Sequence, residues 1–528
     1  MSGPDANHDL EDLRGVARRI WEAGLAAADP AAAVARSLAE RPFQPRTSWE
    51  LLAVGKAAGA MARAALDRIG ALPREGLVVT EATQVPEVEA ALGISAALET
   101  SEAGGLRVLP GGHPLPDRDS ELAGRAAEEL IAGPRSARRA GERSARRAGD
   151  RSQLLVLLSG GGSALLVAPS EGLSLAEKIE ATSLLLAAGA DIHELNCVRR
   201  HLSRTKGGGL GRLAAGREVR VLVLSDVLGD RLEDVASGPF YGDPTSFADA
   251  LEVARRHRLG PRLPAAILRR LESGARGELE ENPRPEELRW IEHRIVGSLE
   301  LTVDAAVACA QELGAEPVRL PSWLTGEARI AGARLVDSAL AESARRRRLG
   351  PRPLAIVGGG ETVVTVTGDG VGGRAQELAL GFAAAAEDRL EGPWALLVAG
   401  TDGRDGPGEA AGGLVDSGTL ERARALDFEV DEILARNDSS RLLRATRDLL
   451  VTGPTGTNVG DLTVLLIGAA QRDLEALGPA GSRPAVPGRS DPARLSAPAA
   501  SRDRVTSVRG TRYSRPLART DRWREIEE

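Results

Sequence analysis

A lysine kept where arginine is otherwise the rule marks a place where cation shape matters. The chain holds three lysines, Lys56, Lys178 and Lys206, among 68 basic residues. Two of them sit against glycine, in "VGKAAG" and "SRTKGGGL". An ammonium is a compact point charge on a flexible stem, whereas a guanidinium is a broad planar fork. Lys56, between an apolar run and an alanine-rich stretch, is suited to meet a single phosphate oxygen closely.

Four further stretches carry polar groups in chemical patterns. "LLSGGGSALL" (157–166) sets Gly160, Gly161 and Gly162 after an apolar run, flanked by Ser159 and Ser163. Consecutive glycines let neighbouring N–H groups point one way and form an anion nest; a tight turn alone needs fewer. Nothing in the chain matches a Walker A loop: Lys56 is followed by Ala57, and residue 50, five before Gly55, is Glu. "LNCVRRHLSRTKGGGL" (195–210) reads as a helix capped at Gly207, Gly208 and Gly209, with Asn196, Arg199, Arg200, Ser203 and Lys206 crowded together. Arg199, Ser203 and Lys206 are spaced to share a helix face. Dipole-matched cations explain part of this pattern, and the retained lysine argues for a site as well.

Acids gather where glycines do. "LSDVLGDRLEDVASGPFYGDPTSF" (224–247) offers Asp226, Asp230, Asp234 and Asp243, and "GTDGRDGPGEAAGGLVD" (400–416) offers Asp402 and Asp405. Carboxylates at strand ends can hold Mg²⁺ beside phosphates or accept a hydroxyl proton. Asp also favours loops for local reasons, so the group argues more strongly than any member. "TGPTGTNVGDL" (452–462) adds Thr457, Asn458 and Asp461. His113, in "PGGHPLPD", lies in a turn-like loop, where packing is its expected role.

"TGDGVGGRAQELAL" (367–380) satisfies G-x-G-x-x-G over 368–373, which opens a rival reading as a dinucleotide site. Two features weaken it. "GGGETVVTVTG" reads as two short strands joined by a turn, and the next strand-end acid, Asp402, lies 29 residues past Gly373 where the fingerprint expects about 20. The alternative makes Arg374 the point of the motif, as a fork for a carboxylate or phosphate.

The elements that would position these groups repeat one pattern from residue 51: an apolar run, a glycine turn, then a helix. "WELLAVG", "QLLVLLS", "VRVLVLSD", "PLAIVGGGET" and "WALLVAGTDG" are the runs. Such alternation predicts an α/β layered fold with buried, mostly parallel strands, and ligands past their carboxyl ends. Residues 8–40 read as helical. At 528 residues two or three domains are expected: 8–290, 291–470 and a disordered tail at 471–528, with a basic surface loop at 133–150 formed by the repeat "RSARRAGE", "RSARRAGD". Residues 273–290 read as a polar connection near the boundary. Aromatics make up 2% of the chain, so Leu, Val, Ile and Ala must build the core. A formal charge of −7 argues against a nucleic-acid-binding body. Two cysteines, Cys197 and Cys309, cannot build a disulfide framework. No apolar run of 18 residues occurs and the first 20 residues lack an apolar core, so a cytoplasmic protein without signal peptide is expected.

Taken in order, "VGKAAGAMA", "GGHPLPD", "LSGGGSALL", "LNCVRRHLSRTKGGGL", "SDVLGDRLEDVASGPF", "GGRAQELAL", "GTDGRDGPGEAAGG" and "TGPTGTNVGDL" resemble the class II (MOFRL-type) glycerate 2-kinases, whose relatives are often labelled hydroxypyruvate reductases. The resemblance spans about residues 10–468. It implies ATP-dependent phosphorylation of the 2-hydroxyl of D-glycerate with Mg²⁺, and a Rossmann-like α/β/α domain followed by a smaller α/β MOFRL domain, with the site in the cleft between them. It also places the family's important lysine on Lys56 and its arginine on Arg374. On this reading Asp226 joins them as catalytic. Ser159, Gly160–Gly162, Ser163, Lys206, Gly207 and Gly208 hold nucleotide phosphate, and Asn196, Arg199, Ser203, Glu361, Gln376, Glu377, Thr457 and Asn458 line the cleft. Asp226, Asp230, Asp402 and Asp405 are the metal candidates. Small-molecule partners and a homodimer are expected; an NAD(P)-dependent hydroxypyruvate reductase is the rival.

Overall fold

The computed structural model describes residues 4–43, 49–94, 105–132, 153–346 and 352–468. The basic repeat at 133–150 and the tail at 471–528 lie outside them. Two sheets organise the rest. The first contains β1 (Trp49–Val54), β2 (Glu75–Glu81), β3 (Gly105–Gly111), β4 (Gln153–Leu158), β5 (Glu218–Leu224) and β6 (Glu292–Gly297), in the order β3-β2-β1-β4-β5-β6. Every pairing in it is parallel. This is the doubly wound arrangement, whose strand order reverses between β1 and β4. Side chains alternate across it: Leu52, Val54, Leu154 and Val156 pack on one face, and Leu51, Ala53, Leu155 and Leu157 on the other.

The second sheet contains β7 (Glu316–Arg319), β8 (Leu324–Glu327), β9 (Leu354–Val363), β10 (Trp394–Gly400), β11 (Gly412–Asp416), β12 (Leu449–Leu450) and β13 (Asp461–Ile467). Its order is β12-β11-β10-β13-β9-β7, with β8 also on β9. Here the expectation of mostly parallel strands fails. β13 runs antiparallel to both β10 and β9, and only β7 and β8 pair parallel with β9. The apolar runs look alike in both sheets because each is covered on two faces, and coverage rather than direction sets that pattern. The buried helix Arg374–Ala386 covers one face. The helix Pro4–Ala27 covers the other through Ala17, Ile20 and Trp21, beside the helix Leu299–Glu312.

Three local expectations shift. The first helix packs on the second sheet, so the chain's start and its later half share one core. The boundary drawn at 290 falls just before β6, which belongs to the first sheet. The stretch 8–40 is two helices, Pro4–Ala27 and Pro30–Glu40, the second capped by Asp29. No helix among the described residues is long and apolar enough to cross a membrane.

Candidate active site

The carboxyl ends of β1 to β5 carry the polar groups of the first lobe. Gly55 has φ +129, and a Cβ there would lie 2.1 Å from Ser159 Oγ and 2.6 Å from Ser159 O, so only glycine lets the two loops meet. Lys56 N then donates to Gly160 O (2.9 Å), Ser159 N to Val54 O (2.9 Å), and Ala57 N to Ser159 Oγ (3.1 Å). The loops after β1 and β4 are thereby stitched together at the switch point. Lys56 Nζ reaches outward to 3.5 Å from Glu81 Oε1, and His113 Nδ1 lies 3.1 Å from the same oxygen. Burial, then the Lys56 charge, lowers the His113 pKa. His113 thus belongs to the site rather than to loop packing alone, and Glu81 joins it without having been singled out.

The glycine loop lies between two sets of charges. A Cβ on Gly161 (φ +84) would come within 3.3 Å of Lys56 Cγ and His113 Cδ2, and one on Gly160 within 2.4 Å of Asp226 Oδ2. Among the described residues, the N–H groups of Gly160, Gly161, Gly162 and Ser163 find no acceptor. Ser163 Oγ bonds Ser237 Oγ (2.7 Å), which bonds Asn196 Oδ1 (3.2 Å), and Asn196 Nδ2 donates to Asp234 (3.0 Å). Free donors on a braced loop are what an anion nest requires.

In the second lobe Arg374 opens its helix. Its Nε and Nη2 grip Asp461 (2.8 and 3.0 Å), while Nη1 donates to Glu361 Oε1 (2.7 Å). Glu361 is 51% exposed and Asp461 9%, so the Asp461 clamp is fixed and the Glu361 contact faces open space. Burial pushes the Asp461 pKa up to about 6 against the pull of Arg374. The lobes meet electrostatically at Asp226. Burial raises its pKa to about 6, Glu361 adds to the rise, and Lys56 opposes it. Lys56, Asp226, Glu361 and Arg374 therefore form one connected set.

Other sequence candidates hold structure in place. Asp405 caps the helix Arg374–Ala386, accepting from Ala375 N, Gln376 N and Gln376 Nε2 (3.0, 2.8 and 3.0 Å), so both of its oxygens are already engaged. The same contacts close the dinucleotide reading, since a carboxylate already occupies the helix end that pyrophosphate would need. Gly368, Gly370 and Gly372 instead let the backbone pass close to Arg436, Asp438 and Ser439. The expected two strands before them are one, β9, followed by irregular chain. Gln376 also bonds Ser440, and Glu377 is buried on Arg329 and Asn437. Thr457 Oγ1 donates to Ala28 O (2.7 Å), and Asn458 Oδ1 accepts from Gly460 N (3.3 Å). Asp402 caps its own turn through Arg404 N (2.9 Å), and Asp230 sits at φ +53 on a loop.

The helix Ile192–His201 ends before Ser203 and Lys206, so the shared face with Arg199 does not exist. Gly207 N and Gly208 N donate to Ser237 O and Gly238 O (3.0 and 2.7 Å) and are closed to phosphate. Ser203 Oγ donates to Ala168 O (3.2 Å), and Asn196, Asp234 and Asp243 are buried around Arg200. Lys206 Nζ, buried, donates to Ser163 O and Leu166 O (2.8 and 3.3 Å). No group of three or more His, Cys, Asp or Glu among the described residues converges as a metal site.

Comparison with known proteins identifies the family. A domain of unknown function, DUF4147, matches residues 16–272, and the MOFRL family matches residues 354–461. The glycerate 2-kinase of Pyrococcus horikoshii is 35% identical over 467 residues, 86% of this chain and 98% of its own. A relative in Agrobacterium vitis named for hydroxypyruvate reductase is 37% identical over 459 residues, 86% of this chain and 94% of its own. The crystal structure of glycerate kinase from Thermotoga maritima superposes with a TM-score of 0.72 at 37% identity, covering 87% of this chain and all of that one. The chain belongs to the class II, MOFRL-type glycerate kinase family.

Proposed function

We propose that this chain is a kinase that transfers the γ-phosphate of ATP to the 2-hydroxyl of D-glycerate. The observation that carries the reading is the convergence of Lys56, the unpaired amides at 160–163 and Asp226 at the switch point, with Arg374 and Glu361 facing them from the other lobe. Phosphoryl transfer needs alignment and charge neutralisation more than covalent help. The nest and Lys56 stabilise the migrating phosphoryl group, the ammonium fitting where a planar fork would displace Gly161 or His113. The acceptor oxygen forms its bond to phosphorus as the bond to the bridging oxygen of ADP breaks. The hydroxyl proton passes to Asp226, whose raised pKa makes it a better base than an ordinary aspartate while leaving it ionised at neutral pH. Arg374, fixed by Asp461, offers the arm now on Glu361 to the glycerate carboxylate.

Mg²⁺ commonly needs only one or two carboxylates plus phosphate oxygens. Glu361, exposed and beside Asp226, fits that demand, whereas Asp405 does not. Bound there with the nucleotide, Mg²⁺ would neutralise phosphate charge.

The test pairs two assays: ATP with D-glycerate coupled to enolase, and NADH with hydroxypyruvate. Enolase accepts the 2-phosphate and not the 3-phosphate, so signal in the first assay alone supports both reaction and regiochemistry. Signal only in the second would replace the kinase by a reductase.

A further inference from the structure

Lys178 has no part in the site above, yet its surroundings are unusual for a lysine. It lies on the helix Leu175–Ala187, 7% exposed, and its Nζ is buried with no hydrogen-bond partner. Arg199, half-buried on the neighbouring helix, likewise has neither carboxylate nor hydrogen-bond partner among the described residues. Lys206 completes the group, its ammonium held by the carbonyls of Ser163 and Leu166 at the far end of the turn that follows the glycine nest. Of the nearby arginines, Arg204 is neutralised by Glu128 (2.8 and 2.9 Å), while Arg270 donates to His201 O (2.9 Å), lies over the Phe247 ring and has no carboxylate partner among the described residues. Burial, followed by the charges of Arg199, Arg270 and Arg204, brings the Lys178 pKa down to about 7, and burial with Arg199 and Lys178 lowers that of Lys206.

Gathering like charges away from water is unfavourable unless something opposes them. A buried ammonium with an unused set of donors, beside a free guanidinium that reaches solvent, is a site lacking its anion. Three basic side chains grouped without a carboxylate among the described residues suit a polyanion, whose charge would keep all three protonated, better than a monocarboxylate. We infer that Lys178, Arg199 and Lys206 form a phosphate-binding subsite for the phosphate tail of the nucleotide. The anion's identity rests on the kinase reading; the subsite itself does not. In this arrangement Lys206 ties the subsite to the nest, so that an inner phosphate held by the trio and a terminal one held at 160–163 lie at opposite ends of one helical turn.

The test uses the full chain and the substitution Lys178→Met, with inorganic pyrophosphate and ADP titrated calorimetrically and KM measured for ATP and for glycerate. Charge-assisted hydrogen bonds imply that affinity for both pyrophosphate and ADP falls roughly 10- to 100-fold. KM for ATP should rise in step while KM for glycerate holds. Removal of an uncompensated buried cation should leave the unliganded melting temperature unchanged or higher, which separates lost binding from lost folding. If Lys178→Met does not fold, Arg199→Gln, at the solvent side of the trio, must give the same pattern. Unaltered pyrophosphate and ADP binding overturns the subsite. Weakened pyrophosphate with unaltered ADP, or a rise in glycerate KM alone, overturns its assignment to the nucleotide. A wild-type protein that binds pyrophosphate through Lys178 but leaves glycerate untouched would keep the subsite and remove the kinase reading.

Discussion

The two lobes use the same vocabulary at their strand ends, glycine with aspartate and an occasional cation, and put it to opposite uses. After β10 and around the start of the helix Arg374–Ala386, nearly every polar group is spoken for: Asp405 by two backbone amides and Gln376, Asp461 by Nε and Nη2 of Arg374, Glu377 by Arg329 and Asn437. After β1 to β5, among the described residues, Lys56 has a 3.5 Å contact with Glu81, the nest amides are unpaired, and Asp226 keeps a pKa near 6 because burial outweighs the opposing charge of Lys56. Saturated polar groups hold geometry; unsaturated ones are available to a ligand. The difference lies in partner number, not in residue type.

Substitutions can break that contrast in order of expected size. The largest effect belongs to Lys56→Arg. Charge is kept but its position is lost, so turnover should fall about 10²- to 10³-fold, as for removal of one oriented transition-state donor. Steady-state kinetics with ATP and glycerate checks this; near-normal turnover would show that ammonium shape is irrelevant.

Asp226→Asn should come next. Its carboxylate must be ionised to take a proton, so the wild-type rate should decline as pH drops below about 6, and the substituted enzyme should lose both rate and that acid limb. Stability moves the other way. Because the folded-state pKa lies above the unfolded value, the folded protein binds more protons between the two. Asp226 therefore costs stability as pH rises through about 6, and Asp226→Asn should melt higher than wild type at pH 7.

Asp405→Ala sits on the other side of the comparison. Loss of a helix cap with buried hydrogen bonds should lower stability by about 1–3 kcal/mol, read by denaturant unfolding, while kcat of the folded fraction stays near wild type. A collapse of kcat with unchanged stability would move Asp405 into the chemistry. The smallest effect should come from a glycine pair. Gly70 and Gly161 both have positive φ, but a Cβ on Gly70 meets nothing within 4 Å. Gly70→Ala should cost about 1 kcal/mol of strain and no activity, whereas Gly161→Ala adds displacement of Lys56 and His113 and should lower turnover too.

How much of this was legible in the sequence follows from the same contrast. Apolar runs and glycine turns announced the parallel lobe, and the scarcity of lysine pointed to residue 56. The strand directions of the second sheet were hidden, because an apolar run covered on both faces reads alike in either orientation. The grouping of Arg199, Ser203 and Lys206 failed because the helix stops at His201, and the region closes by tertiary contact instead. The candidates Gln376, Glu377, Thr457 and Asp405 were chosen by type, and only three-dimensional neighbours reveal that their bonding capacity is filled. Glu81 was missed because a lone acid at the end of an apolar run carries no pattern; its meaning comes from Lys56 and His113, which chain topology brings to it. Lys178 drew no reading in the sequence, because it lacks the glycine neighbours that marked the other two lysines; its cationic neighbours are brought to it by the fold.

Asp226 feels both lobes at once, and its own titration reports this directly. Carboxyl ¹³C resonances, assigned by difference with Asp226→Asn, would follow it in wild type, Lys56→Met and Glu361→Gln. The pKa should start near 6, climb when Lys56 loses its charge, and drop when Glu361 loses its own. A titration that ignores both substitutions would mean that residues 56 and 361 do not face a common carboxylate, and the two-lobe site would have to be abandoned.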